Sequence, residues 1–151
     1  MTDAITLAEK LIAAPSVTPA TGLVFDVMEA MLEPLGFEIH RFVKGEAPDG
    51  PVENMFAIRR GPEGSKHFAF AGHLDVVPPG DDWTSAPFAP EKRGELLYGR
   101  GAVDMEGSIA SMVGAMADVP AYDRFYQRLI AKVAISDVSA SFVMEDIKDT
   151  T

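Results

Sequence analysis

Cysteine is missing from this chain altogether. That excludes a disulfide framework and a thiolate zinc site, so any metal must rest on imidazole and carboxylate. Histidine is scarce as well, with His40, His67 and His73 the full complement of three in 151 residues. Positive charge is short: 13 Lys and Arg stand against 23 Asp and Glu, a net charge of −10. A phosphate backbone needs a basic face, so no nucleic acid partner is expected, and no anionic membrane surface either. The acidic balance by itself indicates solubility rather than a cationic substrate. Long apolar runs are lacking, and nothing approaches the length that spans a bilayer. Met1-Thr2-Asp3-Ala4-Ile5 has no basic stretch ahead of an apolar run, so a signal peptide is not expected and the expected location is cytoplasmic. Internal repeats and low-complexity tracts are absent too.

What is present suits one soluble α/β domain. The 47% hydrophobic and 24% charged content can fill a sizeable core at this length. Leu7, Leu11 and Ile12 recur at helical spacing before Pro15, and the pattern predicts a helix over 4–14. Val24, Val27, Met28, Met31 and Leu32 predict a second over 20–35, with Gly36 as its end signal. The period then changes. Alternation predicts strands near 37–43, 54–60, 66–75 and 95–99, all expected in one sheet. A proline-rich loop holding the single tryptophan, Trp83, separates the last two. Ile109, Met112, Val113 and Met116 predict a helix over 105–118. Beyond Pro120, a helix over 122–135 is the expectation, and 136–151 shows no clear period.

Chemistry concentrates in two segments. The first is Ala71-Gly72-His73-Leu74-Asp75-Val76-Val77-Pro78-Pro79-Gly80. Alternation along a strand puts His73 and Asp75 on the same side, where the strand ends. The second is Tyr98-Gly99-Arg100-Gly101-Ala102-Val103-Asp104-Met105-Glu106-Gly107-Ser108. A metal site without thiolate takes its nitrogen from His73 and its oxygen from Asp104, whose two oxygens can bridge a pair of ions about 3.5–4 Å apart. Asp75 suits the ring nitrogen that faces away from the metal, where a carboxylate fixes the tautomer. Gly72 permits close backbone approach, and Gly99 and Gly101 permit the bend that aims Asp104 at the strand end.

Plainer readings stand beside these. A His-x-Asp at a strand end is, alone, more often a structural hydrogen bond than a metal site. A Gly-x-Gly before an Asp is usually a turn. His40 and His67 read as surface or strand histidines, Met28, Met31, Met112 and Met116 as core packing, and Asp81-Asp82 as a solvated loop.

The two segments in combination, with Trp83 and Pro87-Phe88 between them, closely resemble the di-zinc M20 metallopeptidase family over roughly residues 1–118. Val76-Val77-Pro78-Pro79-Gly80 and Tyr98-Gly99-Arg100-Gly101 favour its succinyl-diaminopimelate desuccinylase branch over the acetylornithine deacetylase and aminoacylase branches. The resemblance implies the N-terminal part of a zinc-peptidase-like three-layer catalytic domain, a mixed sheet flanked by helices. It implies His73 as a ligand of one zinc, Asp104 as the bridge between two, and Asp75 as the catalytic aspartate that orients His73. It further implies Zn2+, with Co2+ able to substitute, and a small N-acyl amino acid as substrate.

Departures from the family are specific. Glu106 stands where the family commonly has lysine. The paired glutamates expected after the Asp104 helix, one of them the general base, have no counterpart, and Asp118-Val119-Pro120-Ala121-Tyr122-Asp123-Arg124 does not resemble the family. Glu145-Asp146 is the late acidic pair, without glycine framing, and no histidine follows His73. Family members are homodimeric through an inserted domain that this sequence lacks. The expectation is therefore a truncated chain, with 1–118 as part of a metallohydrolase catalytic domain and 119–151 as an unrelated tail. Two functions are open: an amide hydrolase of lysine and diaminopimelate biosynthesis, or a catalytically inactive remnant of one.

Overall fold

The computed structural model describes residues 3–46, 50–61, 63, 68–118 and 140–144. Three helices and a four-stranded sheet share one buried cluster. Helix α1 (Ala4–Ile12) turns Leu7, Ala8, Leu11 and Ile12 inward, the stripe that its 3.6-residue period dictates. Helix α2 (Leu23–Leu32) starts at Gly22 and runs into a 3₁₀ turn, Glu33–Leu35. Pro34 has no N–H for a continuing α-helix, and Gly36 closes the turn in the left-handed region. Helix α3 (Glu106–Ala117) buries Ile109, Ala110, Val113 and Met116 and packs along α1.

Strand β1 (Glu38–Lys44) pairs antiparallel with β2 (Val52–Arg59). Met55 and Ala57 of β2 are fully buried and join the helical residues in the core, with Asn54, Phe56 and Ile58 half-buried between them. This is the alternation of a strand with one face on a core. Arg41 ties the sheet to α2. Its guanidinium donates to Glu53, Glu29 and Asp26, and those carboxylates outweigh its partial desolvation and hold its pKa above the ordinary value.

Strand β3 (Ala69–Gly72) lies at the edge, and with a strand at Ala140–Met144 (β6) the sheet order is β1-β2-β6-β3. Strand β6 fills the position between, antiparallel to β2 and parallel to β3. The sheet is thus mixed, as expected, but its membership differs in two respects. A strand at 140–144 was not legible, because those residues carry no clear period. The strand expected at 95–99 is not in this sheet. It is β5 (Leu96–Tyr98), and it forms a separate ribbon with β4 (Glu91–Arg93). Gly94 (φ 62°) lets the chain turn back at once, so β5 pairs with its immediate neighbour. The helix expected over 122–135, His67 and Glu145-Asp146 lie outside the described residues. Among the described residues no helix is long and apolar enough to cross a membrane.

Candidate functional site

Strand β3 ends at Gly72, short of the 66–75 span expected. His73 and Asp75 are therefore not successive same-side residues of a strand. They meet because the chain folds back locally: His73 Nδ1 lies 2.9 Å from the Asp75 carbonyl oxygen and 3.2 Å from its Oδ1. A protonated Nδ1 donates to this pair of oxygens, which leaves Nε2 to face the other way. Nε2 points at Asp104, with Oδ1 at 3.1 Å. The structure thus brings all three residues together at the carboxyl end of β3.

Several features hold them there. The segment after His73 is clamped to the α1–α2 connection by Val76 N–H to Ser16 O (2.9 Å) and Thr18 N–H to Val76 O (3.0 Å). A Cβ on Gly72 would sit 3.0 Å from Met105 Cε, so the glycine lets β3 and the Asp104 segment come into close register. Gly101 adopts φ 86°, and a Cβ there would collide with Glu106 and Val76. The bend that delivers Asp104 needs glycine at that position.

Exposure separates the roles. The His73 and Asp75 side chains are 12% and 14% exposed, and that of Asp104 is 84% exposed. The imidazole is fixed from behind, and the Asp104 carboxylate stands open toward solvent. Burial pulls the His73 pKa down, but the Asp75 carbonyl and the Asp104 and Asp75 carboxylates outweigh it, so the pKa lies above the ordinary value.

The donor set fits one side of a zinc ion. Two ligands of a tetrahedral ion with bonds near 2.0–2.1 Å stand roughly 3.3 Å apart, and Nε2 and Oδ1 are separated by 3.1 Å. Imidazole and carboxylate are also the donors that zinc takes without thiolate. Among the described residues, no group of three or more potential ligands comes together.

Two features of the site were missed in the sequence. Glu106 stands out there only as a departure from the family's lysine, yet it is 1% exposed. Ser16 Oγ donates to its Oε1 (3.3 Å), and Oε2 has no partner among the described residues. Burial pushes its carboxyl up to about 7, against smaller opposing effects of Ser16 and His73. Its place in the first turn of α3 was the available signal. Arg100 is the second. It reads as a residue between two turn glycines, but it reaches back over the proline-rich loop to Trp83.

Residues 69–128 match the model for peptidase family M20/M25/M40. A succinyl-diaminopimelate desuccinylase from Novosphingobium aromaticivorans is 76% identical over 119 residues, 79% of this chain and 32% of that protein. Over this stretch the chain is similar to members of the M20/M25/M40 peptidase family. The desuccinylase from Zymomonas mobilis is 49% identical over 113 residues, 75% of this chain and 30% of its own length. The chain spans about a third of the length of the curated relatives it matches. Among solved structures, human carnosine dipeptidase 1 aligns with a TM-score of 0.70 at 20% identity, over 94% of this chain and 31% of that one. Dug1p of Saccharomyces cerevisiae gives 0.71 at 18%, over 97% and 32%. At such identities the likeness is one of fold: the chain shares its α/β architecture with about a third of each of those proteins.

Proposed function

We propose that this chain carries the His73–Asp75–Asp104 portion of a zinc-dependent amide hydrolase of the succinyl-diaminopimelate desuccinylase type. The reaction is N-succinyl-LL-2,6-diaminopimelate plus water to LL-2,6-diaminopimelate plus succinate. The observation that carries the reading is the placement of the His73 ring, with Asp75 behind Nδ1 and Asp104 in front of Nε2. It is supported by high identity to relatives that bear that name.

In this reading His73 and Asp104 hold the metal, with zinc as its resident and cobalt as a substitute. A bound zinc supplies Lewis acidity toward the amide carbonyl and lowers the pKa of water to near neutrality. Asp75 keeps the proton on Nδ1 and the lone pair on Nε2, and so presents a neutral imidazole in a fixed orientation. The open face at Asp104 leaves room for a small N-acyl amino acid. A cytoplasmic location and a homodimeric full-length protein go with the same assignment.

Catalysis by the 151 residues alone does not follow. Zinc sites use three or four protein ligands, and the described residues bring two donors together. We assign residues 1–118 to the catalytic domain and 119–151 to a segment that does not supply its general base. The test is calorimetric titration of the chain with zinc, followed by an amine-release assay on N-succinyl-diaminopimelate. Weak zinc binding lost in His73→Ala, without turnover, is expected. No zinc binding at all would refute the metal assignment. Zinc-dependent turnover lost in Asp104→Ala would refute the incomplete site.

A further inference from the structure

The loop between the two site segments is fastened at one residue. Arg100 Nη2 donates to the Pro79 carbonyl (2.9 Å) and lies 3.5 Å from that of Pro78. Its guanidinium carbon stands 5.1 Å over the Trp83 ring centre, and Trp83 Nε1 donates to the same Pro79 oxygen (2.7 Å). The Arg100 N–H donates to Pro87 O at 2.7 Å. Three prolines, Pro78, Pro79 and Pro87, which offer carbonyls but no N–H, thus find their donors in Arg100 and Trp83. A planar guanidinium can stack and donate at once, which an ammonium cannot do equally well.

The fastening lies between the two ligand-bearing segments. The loop begins just after His73 and Asp75, and Arg100 opens the bend that ends at Asp104. Other ties between the segments are the close approach of Met105 to Gly72, the Val76–Ser16 clamp continued by Ser16 to Glu106, and the Arg100 N–H to Pro87, none of which uses the guanidinium. We propose that Arg100 is a positioning residue. By locking the 78–83 loop onto the 99–104 segment, it holds Asp104 Oδ1 within reach of His73 Nε2. The inference rests on the metal-site reading for its functional consequence and on the contacts above for its geometry.

Trp83 is the single tryptophan of the chain, so its fluorescence reports the lock without any label. Three variants separate the contributions: Arg100→Gln, Arg100→Lys and Trp83→Phe. Far-UV circular dichroism and thermal melting establish that each is folded. In Arg100→Gln, acrylamide quenching of Trp83 should increase, and amide exchange over residues 101–106 should accelerate. Zinc affinity should fall by about tenfold or more, the range seen when a residue supporting a metal ligand is removed. The visible spectrum of the cobalt-loaded chain should change at saturating cobalt, which a loss of global stability would not cause. Arg100→Lys, with charge and one donor retained, should recover part of the affinity. Trp83→Phe should weaken zinc binding less than Arg100→Gln, because the ring face under the guanidinium remains.

Unchanged quenching and exchange in Arg100→Gln would overturn the lock. Faster quenching with unaltered zinc affinity and cobalt spectrum would show that Arg100 pins a loop and positions nothing, which also overturns it. Failure of the parent chain to bind zinc or cobalt would sink the metal reading instead. Amide exchange over 101–106 would then decide the lock by itself.

Discussion

The His73 imidazole and the Asp104 carboxylate stand 3.1 Å apart, although 31 positions separate them in the sequence. The chain between them crosses a proline-rich loop and a small two-stranded ribbon before it returns. Their approach comes from packing at the end of β3, and it yields the donor pair on which the functional reading depends.

Zinc affinity should therefore rise with pH. A metal takes the neutral imidazole, so protons compete with it. Because the His73 pKa is raised above 6.5, the affinity should begin to fall on acidification at a higher pH than an ordinary histidine would give. Calorimetric titrations across the neutral range check this. A midpoint below 6.5 would contradict the environment assigned to His73.

Hydrolysis of N-succinyl-diaminopimelate by the 151 residues should be undetectable. Positioned proton transfer contributes about 10²–10⁴-fold, and a water left without metal activation is a poor nucleophile at neutral pH. Extending residues 1–118 with the C-terminal portion of a relative should restore turnover. Asp75→Ala in that extended enzyme should then depress kcat strongly and leave the far-UV spectrum unchanged.

Glu106→Gln should stabilise the protein at neutral and higher pH. The sign follows from linkage. Glu106 has a folded pKa of about 7 against 4.5 for the free group, so the folded state holds the proton longer. Below pH 4.5 both states are protonated and no penalty exists. As pH rises from 4.5 to about 7, stability falls, and above that the penalty is complete, on the order of 3 kcal/mol. The glutamine variant should remove this slope. Urea midpoints measured at several pH values read it directly, and parallel slopes for the two proteins would contradict a buried carboxyl with a raised pKa.

Gly101→Ala should destabilise the fold by at least about 2 kcal/mol, since an L side chain pays for positive φ. The collisions with Glu106 and Val76 add to that cost. It should also weaken zinc binding, because the displaced bend carries Asp104. Thermal melting and zinc titration test the two effects separately.

Local signals in the sequence were enough to determine the three described α-helices and most of the described strands. Leu7, Leu11 and Ile12 mark α1 through periodicity alone, and Met55 and Ala57 mark the inner face of β2. The candidate residues that the structure brings together were also legible, because His73, Asp75 and Asp104 sit in two short segments whose glycines permit close approach and a tight bend. Sheet membership was legible for β1, β2 and β3 but not for β5 or β6. Strand β6 takes its place between β2 and β3 through backbone pairing, which any residue can supply, so its segment needs no pattern of its own. Nor could composition reveal that Glu106 is buried or that Arg100 spans to Trp83. A charged side chain looks solvated in sequence, and only the packing of α3 against the 99–101 bend decides that one carboxyl is removed from water. The residue types were decided locally. Their separations, burial and protonation were decided by tertiary structure, because each depends on groups brought together from distant parts of the chain.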